Sequence, residues 1–251
     1  MIKAILPVYP PGREKAMLAA YFKAAYDMCM ELTYILDFDS TLVSVESLDE
    51  LARISLEGHP DKETKLAQLH ALTNQGMSGR LPFDESLRRR LELFKANRGH
   101  VERLVEILKD SITDSALELE DWFEENADNI YIVSGGFSDF IVPVAKELGI
   151  PASHVFANKF VYDSEGTIVG FDESLPTSRQ GGKSEQVSQL ELPGPVIMIG
   201  DGSTDYEVRA KGLADEFWAF TQHVARPTVV ERADRVLGSF EEVEALAAAV
   251  A

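Results

Sequence analysis

The chain has 251 residues, 45% hydrophobic and 26% charged, which is material for one or two domains with a sizeable core. Its formal charge of −18 repels polyanions, so nucleic acid and anionic membrane surfaces are poor partners, and a site for an anionic substrate needs local positive charge. Cys29 is the single cysteine, which leaves no intrachain disulfide and no thiolate metal cage.

Residues 1–11 carry Pro7, Pro10 and Pro11 and are kept out of regular helix. Arg13, Glu14, Lys15, Lys23 and Asp27 spoil a secretory signal, and no run approaches the roughly 18 apolar residues of a membrane span. The expectation is a soluble cytoplasmic protein. Over 13–29 the periodicity predicts an amphipathic helix, with Met17, Leu18, Tyr21 and Phe22 on its apolar face. A short apolar run at 34–36 then reads as a buried strand that ends abruptly in Asp37-Phe38-Asp39.

No strand pattern follows until residue 130. Helical periodicity marks 46–56, 62–74, 83–95 and 101–108, with Gly- and Pro-bearing breaks between them, and a further helix is predicted at 115–125. Strands and helices then alternate. Strands are predicted at 130–133, 155–162, 167–171, 196–199 and 217–220; helices at 139–148, after Gly181-Gly182, near Thr204 and at 240–249. Ser164-Glu165-Gly166 suits a hairpin turn. Alternation of this kind implies an α/β fold, a Rossmann-like doubly wound parallel sheet with a helical insertion after the first strand. The expected division is an N-terminal extension at 1–30, a core at 31–45 and 111–251, and a helical cap at 46–110.

Ligands of such sheets sit beyond the carboxyl ends of the strands. Three strands end in suitable groups: Asp37 and Asp39 two apart on an extended segment, Ser134-Gly135-Gly136 with a hydroxyl and bare N–H groups, and Gly200-Asp201-Gly202-Ser203-Thr204-Asp205. Carboxylates crowded at one edge call for a counter-cation, and hard oxygen ligands without thiolate point to Mg²⁺. Lys183, after two glycines at a helix start, is a candidate phosphate contact. The histidines at 59, 70, 100, 154 and 223 show no metal-ligand spacing.

These four segments, in this order across 34–205, resemble the motifs of the haloacid dehalogenase superfamily. Within it the likeness to phosphoserine phosphatases rests on Glu46-Ser47-Leu48-Asp49-Glu50-Leu51-Ala52, on Met77 with Leu81-Pro82-Phe83 and Ser86-Leu87-Arg88-Arg89-Arg90, and on Gly170-Phe171-Asp172-Glu173-Ser174. The resemblance implies Asp37 as nucleophile and Asp39 as acid and base. Mg²⁺ would be held by Asp37, the main-chain carbonyl of Asp39 and Asp201. Ser134 and Lys183 would bind phosphoryl oxygens, with Asp205 orienting Lys183 or a metal-bound water. Glu46 would meet the substrate ammonium and Arg90 its carboxylate, Met77 and Phe83 would shape the pocket, and Gly135, Gly136 and Thr204 would line it. The implied reaction is hydrolysis of O-phosphoserine, and a homodimer is compatible with the chain. Two alternatives stay open: a phosphatase or phosphotransferase for another small phosphometabolite, and a catalytically silent regulatory subunit.

Overall fold

Strand β1 (Thr33–Leu36) is buried along its whole length and lies at the centre of a six-stranded sheet. Its neighbours are β2 (Ile130–Phe137), with Tyr34 opposite Ile130, and β6 (Val196–Gly200), with Leu36 opposite Ile199. The outer strands are β3 (Val155–Asn158), β7 (Glu216–Phe220) and β8 (Arg235–Leu237), in the order β3-β2-β1-β6-β7-β8 with every pairing parallel. The computed structural model describes residues 32–250, so the amphipathic stretch expected at 13–29 lies outside the described residues.

Side-chain alternation sorts the strand residues onto two apolar faces. Tyr34, Leu36, Ile132, Ile199, Trp218 and Phe220 pack on one side, and Ile35, Val133, Met198, Phe217 and Ala219 on the other. Both faces are covered, which is why these strands read as unbroken apolar runs. The doubly wound parallel sheet expected from the alternation is the fold observed.

Between β1 and β2 stand α1 (Ser47–Ser55), α2 (Lys62–Met77), α3 (Phe83–Glu92) and α4 (Arg98–Lys109). The two chain crossings at the root of this segment are bonded together, Thr113 N–H to the Leu42 carbonyl and Ser44 N–H to the Ser111 carbonyl, each at 2.9 Å. Helix α4 packs both on α1 and on α7 (Ser138–Ala145) of the sheet layer. Its N-terminal end is tied to a hairpin of β4 (Phe160–Tyr162) and β5 (Ile168–Phe171), through Arg98 N–H to the Gly166 carbonyl and Ile168 N–H to the Ala96 carbonyl.

Several elements depart from the sequence pattern for identifiable reasons. The helix expected at 115–125 is two short helices, α5 (Asp114–Leu117) and α6 (Glu120–Glu125), broken at Leu119, whose φ of −112° and ψ of 30° are not helical. The break seats Trp122 edge-on against Tyr34, ring centroids 5.2 Å apart. The extended run expected at 155–162 is split between the main sheet and the hairpin, because the Asp139 carboxylate takes Phe160 N–H and the Tyr162 hydroxyl. Strand β2 continues past 133 through Ser134-Gly135-Gly136 to Phe137, with a register irregularity where a turn was expected. Strand β8 and helix α10 (Pro227–Val230) are too short to carry a period. The remaining helices are α8 (Gly182–Val187), α9 (Ser203–Ala210) and α11 (Glu241–Val250).

One buried side chain joins three pieces of the sheet's upper edge. Asn158, at the end of β3, donates to the Gly135 carbonyl at 2.8 Å and accepts from the Thr177 hydroxyl at 2.9 Å. Replacing it by alanine orphans both partners, at a cost of roughly 1–3 kcal/mol each. Asn158→Ala is expected to lower unfolding stability by about 2 kcal/mol or more, read from the urea midpoint; an unchanged midpoint would show that this bridge holds nothing in place.

Candidate active site

Because β2, β1 and β6 are adjacent and parallel, their carboxyl ends bring all the motif segments to one edge. At the end of β1, Asp37 is 2% exposed and its own Oδ1 accepts the Phe38 N–H at 2.7 Å. The chain then reverses tightly, with Ser40 at φ 55°, the one left-handed non-glycine among the described residues. That reversal turns Asp39 toward the start of α1, where its Oδ1 accepts the Ser47 N–H at 3.0 Å, and lets the Ser40 hydroxyl reach Glu46 at 3.0 Å. Burial above all, and then Glu46 and Asp37, push the Asp39 carboxyl up to about 8, so in these surroundings it holds a proton at neutral pH.

Lys183 stands on the first turn of α8, buried, with Nζ 2.7 Å from Asp37 Oδ2 and 2.5 Å from Asp205 Oδ1. Burial works against its charge, but the two carboxylates outweigh it and raise the lysine pKa. Asp205 is fixed in turn by the Gly202 N–H, 2.9 Å from its Oδ2. A side chain on Gly200 would lie 2.3 Å from that oxygen, so only glycine lets the carboxylate in. The Ser134 hydroxyl, in the second half of β2, accepts the Gly136 N–H at 3.0 Å.

Asp37, Asp201 and Asp205 bring one carboxylate oxygen each to within 4.8 Å of one another. Asp201 is 1% exposed and, among the described residues, neither of its oxygens accepts a hydrogen bond, although Arg226 is in ionic contact with Oδ2. Buried carboxylate oxygens without donors, beside a second carboxylate, fit a hard divalent ion. Asp37 and Asp201 of the expected ligand set therefore share the cluster. The Asp39 carboxylate does not belong to it, being turned to α1, and Asp205 stands in the cluster while also holding Lys183.

The helical segment supplies the other wall. Asp37, Asp39, Ser134, Gly135, Gly136, Lys183 and Thr204 face Met77, Phe83 and Arg90 across a cavity of about 20 Å³. That is room for about one water, so the helices are closed on the site and must part to admit a substrate. The seal is tight: a Cβ on Gly135 would lie 2.4 Å from the Phe83 ring. Ser203 donates to the Met77 carbonyl at 2.9 Å, and Phe83 N–H donates to the Gln180 side chain at 2.9 Å. A roomier groove of about 460 Å³ between α3 and the hairpin has an open, largely apolar lining that includes Leu91, Phe94, Val161 and Val169; it takes in Arg88, Gly170, Phe171 and Glu173 but none of the residues expected to act in catalysis or to bind substrate or metal.

Glu46, expected to meet the substrate, is not among the residues lining the small cavity; it lies behind Asp39, bonded to Ser40 and 3.7 Å from Arg226, with burial raising its pKa against the pull of Arg226 and Arg90. Arg226 and Gln180 have no place in the expected site, and Ser203 stands in the expected motif without a role of its own. A signal existed for Arg226: it follows β7, a fourth parallel strand whose carboxyl end opens on the same edge, and cations are scarce in this chain. Gln180 and Ser203 carry no comparable signal, since only the closed packing gives them partners.

A family model for haloacid dehalogenase-like hydrolases matches residues 34–208. The chain is 37% identical over 210 residues to a chloroplastic phosphoserine phosphatase of Arabidopsis thaliana, covering 82% of this chain and 68% of that protein. It is 35% identical to the phosphoserine phosphatase of Homo sapiens, covering 82% and 89%. Among solved structures, a phosphoserine phosphohydrolase-like protein from Francisella tularensis subsp. tularensis SCHU S4 superposes with a TM-score of 0.77 at 30% identity, covering 86% of this chain and 99% of that one. A phospho-aspartyl intermediate analogue of phosphoserine phosphatase superposes with a TM-score of 0.68 at 26% identity, covering 86% and 98%. With the motif order, the sheet-edge geometry and these relatives in agreement, the chain belongs to the phosphoserine phosphatase family of the haloacid dehalogenase-like hydrolases.

Proposed function

We propose that this chain hydrolyses O-phosphoserine to serine and inorganic phosphate, with Asp37 as the nucleophile and residues 46–110 acting as a cap over the site. The observation that carries the reading is the lining of the cavity from two sides. Asp37, Lys183 and Ser134 line it from the sheet edge and Arg90 from helix α3, its Nε buried without a partner among the described residues. A phosphate ester that also bears a carboxylate matches those two sides.

Phosphoryl transfer needs positioning and charge stabilisation more than elaborate covalent chemistry. Lys183 and the Ser134 hydroxyl, with N–H groups near Gly135, bind the phosphoryl oxygens. An oxygen of Asp37 attacks phosphorus, the bond to the serine oxygen breaks, and the Asp39 proton passes to that oxygen as serine leaves. Asp39, now a carboxylate, takes a proton from water as the water oxygen attacks phosphorus and the Asp37 oxygen departs. A protonated Asp39 at the start of the cycle suits the first step. Mg²⁺, held by Asp37, Asp201 and the main-chain carbonyl of Asp39, would supply neutralisation of phosphoryl charge when bound. Asp205 keeps Lys183 charged and in place, and Glu46 pairs with the substrate ammonium. Met77 and Phe83 close over the ester, with Gly135, Gly136 and Thr204 giving it room.

Asp37→Asn is expected to lower kcat by roughly three orders of magnitude or more while the fold survives, because the covalent route is gone. Quenched reactions with ³²P-labelled phosphoserine check it: label trapped on any residue other than Asp37 would overturn the assignment. Chelation is expected to abolish turnover and added Mg²⁺ to restore it; full activity in a metal-depleted preparation would remove the role given to the acidic cluster.

Specificity is tested by a ligand that lacks one pole. O-phosphoethanolamine has the amine and phosphate but no carboxylate. Arg90→Ala is expected to cut kcat/KM for phosphoserine about tenfold or more beyond its effect on phosphoethanolamine, the scale of one charge-assisted contact. Equal losses for both esters would mean that Arg90 does not read the carboxylate.

A further inference from the structure

We infer that Thr73 and Asp49 are positioning residues for the carboxylate end of the site, holding the Arg90 guanidinium from behind through a hydroxyl and not through a direct ion pair. The inference rests on the reading that Arg90 binds the substrate carboxylate.

A guanidinium carries five N–H donors, yet Arg90, 6% exposed, has few partners among the described residues. Its Nη1 is 3.4 Å from the Thr73 hydroxyl and its Nε has no acceptor. The Thr73 hydroxyl has one proton, and that proton is committed to Asp49 Oδ1 at 3.0 Å. Its lone pairs are therefore turned toward Arg90, and the charge on Asp49 polarises the oxygen they sit on. Asp49 Oδ2 has the ring of His70 at 3.5 Å as its other neighbour.

The arrangement links three helices, Asp49 on α1, Thr73 and His70 on α2, and Arg90 on α3. Its register is set by close packing one turn away. The Ser86 hydroxyl donates to the Leu72 carbonyl at 3.0 Å, and a Cβ on Gly76 would lie 2.9 Å from that hydroxyl oxygen. Ser86 and Arg90 are four apart on α3 and share a face, so the contact that seats Ser86 also sets Arg90 against Thr73.

A hydroxyl spacer has a consequence that a salt bridge would not. Direct pairing with Asp49 would occupy the donor edge of the guanidinium and cancel its charge locally. Thr73 takes one weak hydrogen bond, fixes the plane of the group, and leaves the remaining N–H groups and the charge for an incoming carboxylate.

The test compares phosphoserine with phosphoethanolamine for Thr73→Val, which removes the hydroxyl but keeps the shape. KM for phosphoserine is expected to rise about tenfold more than KM for phosphoethanolamine, with a smaller change in kcat. Thr73→Ser, which keeps the hydroxyl, is expected to restore most of the difference. Asp49→Asn is expected to give an intermediate rise confined to phosphoserine, and it serves where the valine variant unfolds. In an Arg90→Ala background the added effect of Thr73→Val is expected to vanish. Equal effects on both esters, or a full effect without Arg90, would overturn the positioning role. If Arg90→Ala itself fails to separate the two esters, the carboxylate assignment falls and this inference falls with it. If Arg90→Ala separates them and Thr73→Val does not, only the inference falls.

Discussion

The site depends on one buried ammonium. Lys183 sits between Asp37 and Asp205, and without it two carboxylates would face each other across a dry gap at the sheet edge. The contact is also the point where three separate parts of the chain meet, the end of β1 and the starts of α8 and α9. Losing one partner of a buried ion set is far more damaging than never having had it, because the remaining charge is left desolvated and unpaired. The arrangement holds Asp37 in place, Oδ2 against Lys183 and Oδ1 against the Phe38 N–H. A carboxylate held still in this way suits the nucleophilic role proposed for it.

A second constraint is steric. The segment between β1 and β2 closes on the sheet so tightly that the Phe83 ring occupies the space where any residue but glycine at 135 would place its Cβ. Helix α4 is anchored to α7 and to the hairpin, while α2 and α3 reach beyond the insertion through bonds from Met77 to Ser203, from Phe83 to Gln180 and from Arg88 to Glu173. Opening therefore asks less of α2 and α3 than of α4. Closure excludes water, which strengthens every charge interaction inside and protects an acyl phosphate from premature hydrolysis.

Much of this was legible in the residues. Strand β1 and its Asp37-Phe38-Asp39 end could be read because a fully buried parallel strand leaves an unbroken apolar run, and the three motif segments could be placed together because parallel strands share a carboxyl edge. The helical insertion was equally clear from its 3.6-residue periodicity. What escaped depends on tertiary packing. Leu119 breaks a helix because Trp122 and Phe123 must turn into the core, and Asp139 diverts Phe160 and Tyr162 from the main sheet by bonding both. Thr73 looks like an ordinary helix residue until α1 and α3 are laid against it. Asp39 was read as a partner of Asp37 facing one site, and both do line the cavity. Its carboxylate nevertheless also closes the first turn of α1, a use that no spacing rule exposes.

The charge balance connects these observations to the strongly acidic character of the whole chain. Around the cavity Asp37, Asp39, Glu46, Asp49, Asp201 and Asp205 outnumber Lys183, Arg90 and Arg226, and the surrounding protein adds its own negative field. Such a site should repel a phosphate ester, yet its negative charge is handled locally. Burial and its neighbours hold a proton on Asp39, Asp49 is turned to a hydroxyl, and Glu46 shares Arg226 with Asp201. The remaining excess lies at Asp37, Asp201 and Asp205, where a divalent ion would offset it. Lys183 and Arg90 thus stay at separate positions, which the proposed function gives to the phosphoryl group and to the carboxylate. Under the proposed function, the placement of these two cations on opposite walls, and not the net charge of the site, is what would match a substrate carrying both groups.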